Sequence, residues 1–321
     1  MAPPILAVVG ATGAQGGGLA RAALADPARR FRVRAVTRRP ESAPARELAR
    51  LGAEVAAADL DDPASVRRAF EGADAAFCVT NFWEHFSGER EIVQAEPMAA
   101  AAEAAGVGHV VWSTLEDTRR WVPLDDGRMP TLQGRFKVPH FDAKGEADAL
   151  FTGRGLPVTL FRTSFYWENL IGFGVEPRRG ADGVLTLTLP MGDRPLPGIA
   201  AEDIGRCAYG VLRQPERYVG ATVGVAGEHP TGAEMAAALA EALGEEVRYH
   251  AVPPDAYRVL GFPGADELGN MFQVKHDAND DFCSARSVEG SRLLNPDLQT
   301  FRQWLAANAA RIPVEPPLAT A

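Results

Sequence analysis

The stretch Val8 to Gly16, VVGATGAQG, limits what this chain can fold into more than any other. An apolar run from Ile5 to Val9 leads straight into Gly10, Gly13 and Gly16, and an amphipathic segment follows. Glycines at this GxxGxxG spacing allow a tight strand-to-helix turn and close backbone approach. The start of the helix then offers free N–H groups and the positive end of its dipole to a pyrophosphate. Strand, glycine motif and helix in that order are far more specific than loose glycines. Gly10, Ala11, Thr12, Gly13, Ala14, Gln15 and Gly16 are therefore read as a phosphate cradle, with Thr12 and Gln15 able to line it through their side chains.

The rest of the chain has the periodicity that such a cradle requires. Apolar runs at Ile5 to Val9, Val33 to Val36, Ala53 to Ala57, Ala75 to Val79, Val110 to Trp112 and Val158 to Phe161 alternate with alanine-rich amphipathic segments. Continuous apolar strands separated by helices indicate a parallel sheet covered on both faces. Helices are predicted over Gly18 to Leu24, Ser42 to Arg50, Ser65 to Phe70, Glu89 to Ala105 and Pro139 to Phe151. The fold class is α/β: a doubly wound parallel Rossmann sheet with a smaller C-terminal α+β lobe. The Rossmann domain is expected to span 1–162. The smaller lobe, 163–321, is expected to be partly interleaved with it, since AAEDIGRCAYGVL, within about 196–226, reads as a helix returning to the main domain. The Pro-rich PVEPPLATA reads as a frayed tail.

Composition enters by exclusion. A formal net charge of −9 over 321 residues, with no basic stripe, argues against direct nucleic-acid binding. No apolar run approaches the roughly 20 residues of a membrane span. The N-terminus has no basic n-region of the kind that opens a signal peptide. Cys78, Cys207 and Cys283 have no metal-ligand spacing and leave one unpaired, which suits free thiols in a reducing, cytoplasmic setting. His109, His229, His250 and His276 show no mutual metal spacing, so no metal is expected.

Further candidates fall at strand ends. VRAVTRRPE closes the second strand with Arg38 and Arg39, cationic forks that suit a 2′-phosphate, whereas an NAD site would place an acid there; NADP(H) is the expected cofactor. Asp59 and Leu60 can bracket an adenine after the third strand, or Asp59 can cap the helix that follows. Thr80, Asn81 and Phe82 end the fourth strand, beside the expected ribose and nicotinamide. Ser113, at the end of the fifth, is where dehydrogenases keep a serine that orients a carbonyl, and it also suits local backbone bonding. After the sixth strand, Phe165, Tyr166 and Trp167 can wall the nicotinamide and Asn169 can supply a hydrogen bond, although aromatic clusters often serve packing alone.

HFDAK sets His140 and Lys144 one turn apart on a helix that Pro139 can open. In short-chain dehydrogenases this spacing belongs to Tyr-x-x-x-Lys, the proton donor and its lysine. Imidazole is shorter than phenol, and a nearby ammonium favours its neutral form. His140 is thus a structural or cofactor-side group, a substitute acid or base, or incidental. Lys144 keeps a use without catalysis, as a ribose contact. Tyr166 is the one phenol placed to act as a relocated acid.

GATGAQG, VTRRP, VTNFWE, HFDAKGE, YWENL, MGDRPLPGIAAEDIG, GFPGADELGNMF and LNPDLQTFRQWL, in order over nearly the whole chain, resemble the NmrA-like family, an atypical branch of the short-chain dehydrogenases. The resemblance implies cofactor contacts at Gly10 to Gln15, Arg38 and its neighbours, Thr80 to Phe82, Lys144, and Tyr166 to Asn169, which adds Glu168. It also implies a protein that reads the NADPH/NADP+ ratio and acts through a regulatory protein partner, with a homodimer as a plausible assembly. One departure stands out: a sensing member of the family carries a basic, lysine-bearing stretch after Trp-Glu, and here the matching region is GEREIVQAEP, with Val93 and Glu96 at candidate positions. The leading expectation is an NADP(H)-binding redox sensor lacking the Tyr-x-x-x-Lys site. The alternative is an NADPH-dependent reductase or isomerase of a small carbonyl or quinone.

Overall fold

A computed structural model describes residues 2–314, so the PVEPPLATA expectation lies largely outside the described residues. Six of the seven strands of the main sheet precede the smaller lobe: β1 (Ile5–Val9), β2 (Arg32–Thr37), β3 (Glu54–Ala57), β4 (Ala75–Cys78), β5 (His109–Thr114) and β6 (Val158–Arg162). Between them run α1 (Ala14–Ala25), α2 (Ala43–Arg50), α3 (Pro63–Phe70), α4 (Gly88–Ala105) and α5 (Pro139–Thr152). Four of the five β1 residues and all of β5 are buried, as strands covered on both faces must be.

The smaller elements follow as β7 (Phe165–Tyr166), α6 (Asn169–Gly172), β8 (Arg178–Arg179), β9 (Leu185–Leu189), β10 (Gly198–Ile199), α7 (Ala201–Leu212), α8 (Pro215–Tyr218) and β11 (Thr222–Gly224). The chain closes with α9 (Gly232–Leu243), β12 (Val247–Ala251), α10 (Pro254–Arg258), α11 (Ala265–Asp277), α12 (Asn279–Ser284), α13 (Val288–Leu294) and α14 (Phe301–Asn308). The main sheet has the order β3-β2-β1-β4-β5-β6-β11, all parallel. Strand order reverses between β1 and β4, so the loops after those strands diverge and leave a crevice at the sheet's carboxyl edge.

The second lobe is built around the sheet β12-β9-β8 and the helices α9, α11 and α14, with Trp167, Phe272, Phe301 and Trp304 in its core. Its chain does not stay separate from the main domain. β11 completes the main sheet beside β6, and α7 packs on α1 through glycines: a Cβ on Gly205 would fall 2.1 Å from the backbone N of Leu19, and one on Gly18 would fall 2.7 Å from the carbonyl O of Glu202.

The predicted start of α1 was four residues late. Gly16, Gly17 and Gly18 all lie inside the helix; at Gly16 the cradle, and at Gly18 α7, approach too closely for any side chain. This reverses the usual sign of a helix Gly→Ala substitution, which ordinarily gains up to about 1 kcal/mol. Gly205→Ala is expected instead to destabilise the fold by about 1–3 kcal/mol through overpacking, read as a lower midpoint in urea unfolding.

Candidate functional site

The cradle forms as its glycines require. Gly10 has φ +65°, in the left-handed region that glycine tolerates, and its carbonyl accepts the N–H of Gly13 at 2.8 Å. A Cβ on Gly16 would lie 2.5 Å from the Gly10 carbonyl oxygen, so only glycine fits. No side chain caps α1, which leaves the N–H groups of its first turn directed at the crevice. Close by, the Thr12 and Thr37 hydroxyls are 3.3 Å apart, and Thr37 Oγ1 also accepts the Arg39 N–H at 3.2 Å.

The arginines after β2 are both exposed. Arg38 pairs with Glu84 at 2.7 Å, joining the β2 loop to the turn that follows β4. Asp59 and Leu60 are half-buried at the end of β3. Asp59 Oδ1 accepts the N–H of Asp61, and the cap of α3 is Asp62, whose side chain accepts from Ala64. The capping alternative for Asp59 is therefore corrected: it lies three residues before the cap position, which Asp62 takes.

Lys144 anchors the centre of the crevice. Its Nζ donates to Thr80 Oγ1 at 2.7 Å and lies 2.6 Å from Glu91 Oε1, while Thr80 Oγ1 donates to the same carboxylate oxygen at 2.6 Å. Glu91 is fully buried on α4. Its second oxygen stands 3.6 Å from His85 Nε2, and neither atom has a hydrogen-bond partner. Asn81 is exposed beside this group and Phe82 is buried. The sequence reading missed Glu91, although a signal was there: Glu91, Gln94, Ala95 and Met98 share one helical face, so the acid stands on an apolar stripe. Val93 is exposed and Glu96 pairs with Arg154, so neither of those expected positions faces the crevice.

A polar chain forms the opposite wall. Ser113 Oγ donates to Gln15 Oε1 at 2.7 Å, and Gln15 Nε2 donates to the Tyr166 hydroxyl at 2.6 Å. Burial pushes the Tyr166 phenol up to about 12. This links the cradle, β5 and β7 through side chains 151 residues apart in sequence. Trp167 and Glu168 do not join this group. Trp167 packs between Phe301 and Trp304, and Glu168 accepts the Trp304 Nε1–H and the Ala201 N–H, each at 2.9 Å. Side chains alternate across an extended segment, which turns Trp167 into the second lobe while Tyr166 faces the crevice. Asn169 opens the four-residue α6, half-buried.

His140 is separated from Lys144 by its partners. Its backbone N–H donates to Glu267 Oε1 at 2.9 Å and its Nδ1 shares a hydrogen with the same oxygen. The ring lies against Trp83, at 4.9 Å between centroids, and Phe82, at 5.6 Å. Burial lowers His140 to about 3, helped by the Lys275 and Lys144 cations, while burial raises Glu267 well above the ordinary carboxylate range. A neutral imidazole bound to a protonated carboxyl satisfies both groups. His140 thus pins α5 to α11 and is spent as an acid.

The NmrA-like family model matches residues 4–305. The NmrA-like family domain-containing oxidoreductase FrzB of Cladobotryum sp is 30% identical over 289 residues, spanning 84% of this chain and 82% of that protein. Among solved structures, NmrA, a negative transcriptional regulator, in complex with NADP superimposes with TM-score 0.77 at 23% identity, covering 95% of each chain. The NADPH-dependent quinone oxidoreductase QOR2 of Escherichia coli, complexed with NADPH, gives TM-score 0.70 at 21% identity over 95% of this chain and 98% of that one. With the family model matched over nearly the whole chain and a relative 30% identical over most of both chains, the chain belongs to the NmrA-like family.

Proposed function

We propose that the crevice binds NADP(H) and that the protein is an NADP(H)-dependent oxidoreductase of quinones or similarly conjugated small carbonyls. The observation that carries this reading is Lys144, buried and fixed between Thr80 and Glu91 at the strand-order reversal, across from the Ser113–Gln15–Tyr166 wall. The cradle suits the dinucleotide, because the Gly10–Gly16 approach leaves no side chain between the backbone N–H groups and a pyrophosphate. Arg38 and Arg39 would hold the 2′-phosphate, and Lys144 with Thr80 the nicotinamide ribose. When bound, the reduced cofactor supplies a hydride.

The substrate class follows from the missing proton donor. Reduction of a simple ketone leaves a strongly basic alkoxide, which needs an acid in place. His140 is occupied by Glu267, and burial raises the Tyr166 phenol to about 12, which weakens it as an acid. Reduction of a quinone leaves a phenolate, whose conjugate acid has a pKa of about 10, as for tyrosine, and which can take its proton from solvent later. Such an acceptor does not need the absent tyrosine. The same two groups support a second reading, a redox sensor that binds both cofactor forms without turnover and works through a protein partner. That reading requires unequal affinity for the two forms, or unequal ordering of the second lobe by them.

The cofactor assignment has its own test. Arg38→Glu is expected to weaken NADPH binding by on the order of tenfold or more, the value of one charge-assisted contact, and to leave NADH binding within about twofold. Titration calorimetry with both dinucleotides measures this. Equal losses would remove the 2′-phosphate role.

A further inference from the structure

The Arg38–Glu84 pair bridges the two loops that flank the glycine cradle. β1 stands between β2 and β4 in the main sheet, so the loops after β2 and β4 border the cradle on either side. The cradle touches both flanks: the Ala11 N–H donates to the Val36 carbonyl at 3.3 Å, and a Cβ on Gly10 would meet the Val79 side chain at 3.1 Å. Arg38 comes from one flank and Glu84 from the other, with Arg38 Nη2 and Glu84 Oε1 2.7 Å apart. Their side chains are 48% and 41% exposed, so a ligand entering from solvent can reach both.

Glu84 is held in place by its own turn. Phe82 is buried, Trp83 packs on His140, and the N–H groups of Glu84, His85 and Phe86 donate to the Asn81 and Phe82 carbonyls. Beyond the turn, Gln133 Nε2 donates to the Phe86 carbonyl at 3.0 Å. A carboxylate on so fixed a backbone presents its charge to Arg38 before any ligand arrives. It also lies within the influence of a second cation. Arg90, on α4, is held above the ordinary guanidinium value by its bond to Asp61, with Glu84 adding to the effect.

In an NAD(H) site an acid beside the adenosine ribose accepts the 2′-hydroxyl, and in an NADP(H) site an arginine takes the 2′-phosphate. This chain has both groups, and they are bonded to each other. We propose that Glu84 is an internal competitor for the 2′-phosphate, a specificity-determining residue that occupies the Arg38 fork in the free protein and limits how far NADP(H) is preferred over NAD(H). The inference rests on the cofactor assignment of Arg38 above and is independent of the reaction performed. A phosphate monoester carries roughly 1.5 to 2 negative charges near neutral pH, so it takes the fork from a singly charged carboxylate and repels it. Glu84 then turns toward Arg90. NAD(H), with a hydroxyl at that position, has no such exchange to make.

The test is titration calorimetry of the full-length protein and Glu84→Gln with NADPH, NADH, 2′,5′-ADP and 5′-ADP, the last two isolating the adenosine end. Glu84→Gln should tighten NADPH and 2′,5′-ADP by about two- to fivefold, the equivalent of one exposed ion pair, and leave NADH and 5′-ADP unchanged. In an Arg38→Gln background the gain should vanish, because no fork is left to free. Equal affinity of parent and Glu84→Gln for 2′,5′-ADP, or a gain that survives Arg38→Gln, would overturn the competitor role. Weaker NADH binding by Glu84→Gln with NADPH unchanged would also overturn it, making Glu84 an acceptor of the ribose hydroxyl. A parent that binds 2′,5′-ADP no more tightly than 5′-ADP would remove the 2′-phosphate from Arg38 and take the competitor role with it.

Discussion

Arg286→Met is expected to cost about 3–5 kcal/mol of stability, because it strands a buried carboxylate. Arg286 is fully buried between α12 and α13. Its Nη1 and Nη2 donate to the two oxygens of Glu116, each at 2.8 Å, Nε donates to the Thr163 carbonyl at 2.8 Å, and the guanidinium lies 3.6 Å from the centroid of the Phe282 ring. Glu116 follows β5, so this one fork ties the second lobe to the carboxyl edge of the main sheet. The double variant Glu116→Gln/Arg286→Met should recover a large part of the loss, since a neutral amide is cheaper to bury than a lone charge. Urea unfolding of the two variants measures both values; a single variant no worse than the double one would contradict the argument.

The same pair fixes a pH dependence. Burial acts to raise the Glu116 carboxyl, but Arg286, with Arg162 at 3.8 Å, overcomes it and holds the group below its ordinary value. A carboxyl whose folded pKa is depressed contributes stability above its unfolded pKa and loses it as pH falls through the folded one. The parent should therefore lose more stability than Glu116→Gln on acidification below the ordinary carboxylate range.

Lys144→Met should lower quinone turnover by about 100-fold or more, in the range seen when a single preorganised electrostatic donor is removed from an active site. The substitution also strands Glu91, which is fully buried, so the single variant should lose stability as well. Glu91→Gln/Lys144→Met separates the two effects. It is expected to restore the melting temperature toward that of the parent and to leave kcat low. Recovery of kcat in the double variant would show that Lys144 matters only to the fold.

The main sheet was legible because its strands are continuous apolar runs: Ile5–Val9 was read with its observed bounds, and β2 to β6 to within one or two residues. The second lobe was less so. LTLTL alternates buried leucine with half-buried threonine, yet β9 finds its parallel partner Val247–Ala251 some 60 residues later, and nothing local encodes that pairing. The candidate site divides in the same way. The cradle and HFDAK are local patterns and could be read directly. The partners that decide their chemistry are not local: Glu267 reaches His140 across 127 residues, and Lys275 meets Phe141 and Phe165 from a helix far along the chain. Charged residues on apolar helix faces, Glu91 on α4 and Glu267 with Lys275 on α11, were the readable trace of that buried chemistry.

The most direct test of the oxidoreductase assignment is single-turnover absorbance at the reduced-nicotinamide band, mixing stoichiometric protein and NADPH with 1,4-naphthoquinone and related quinones. The account predicts loss of the band that depends on the quinone and is slowed by Lys144→Met. A band that stays constant across the panel, with NADPH shown to be bound, would contradict it and leave the cradle to a sensor.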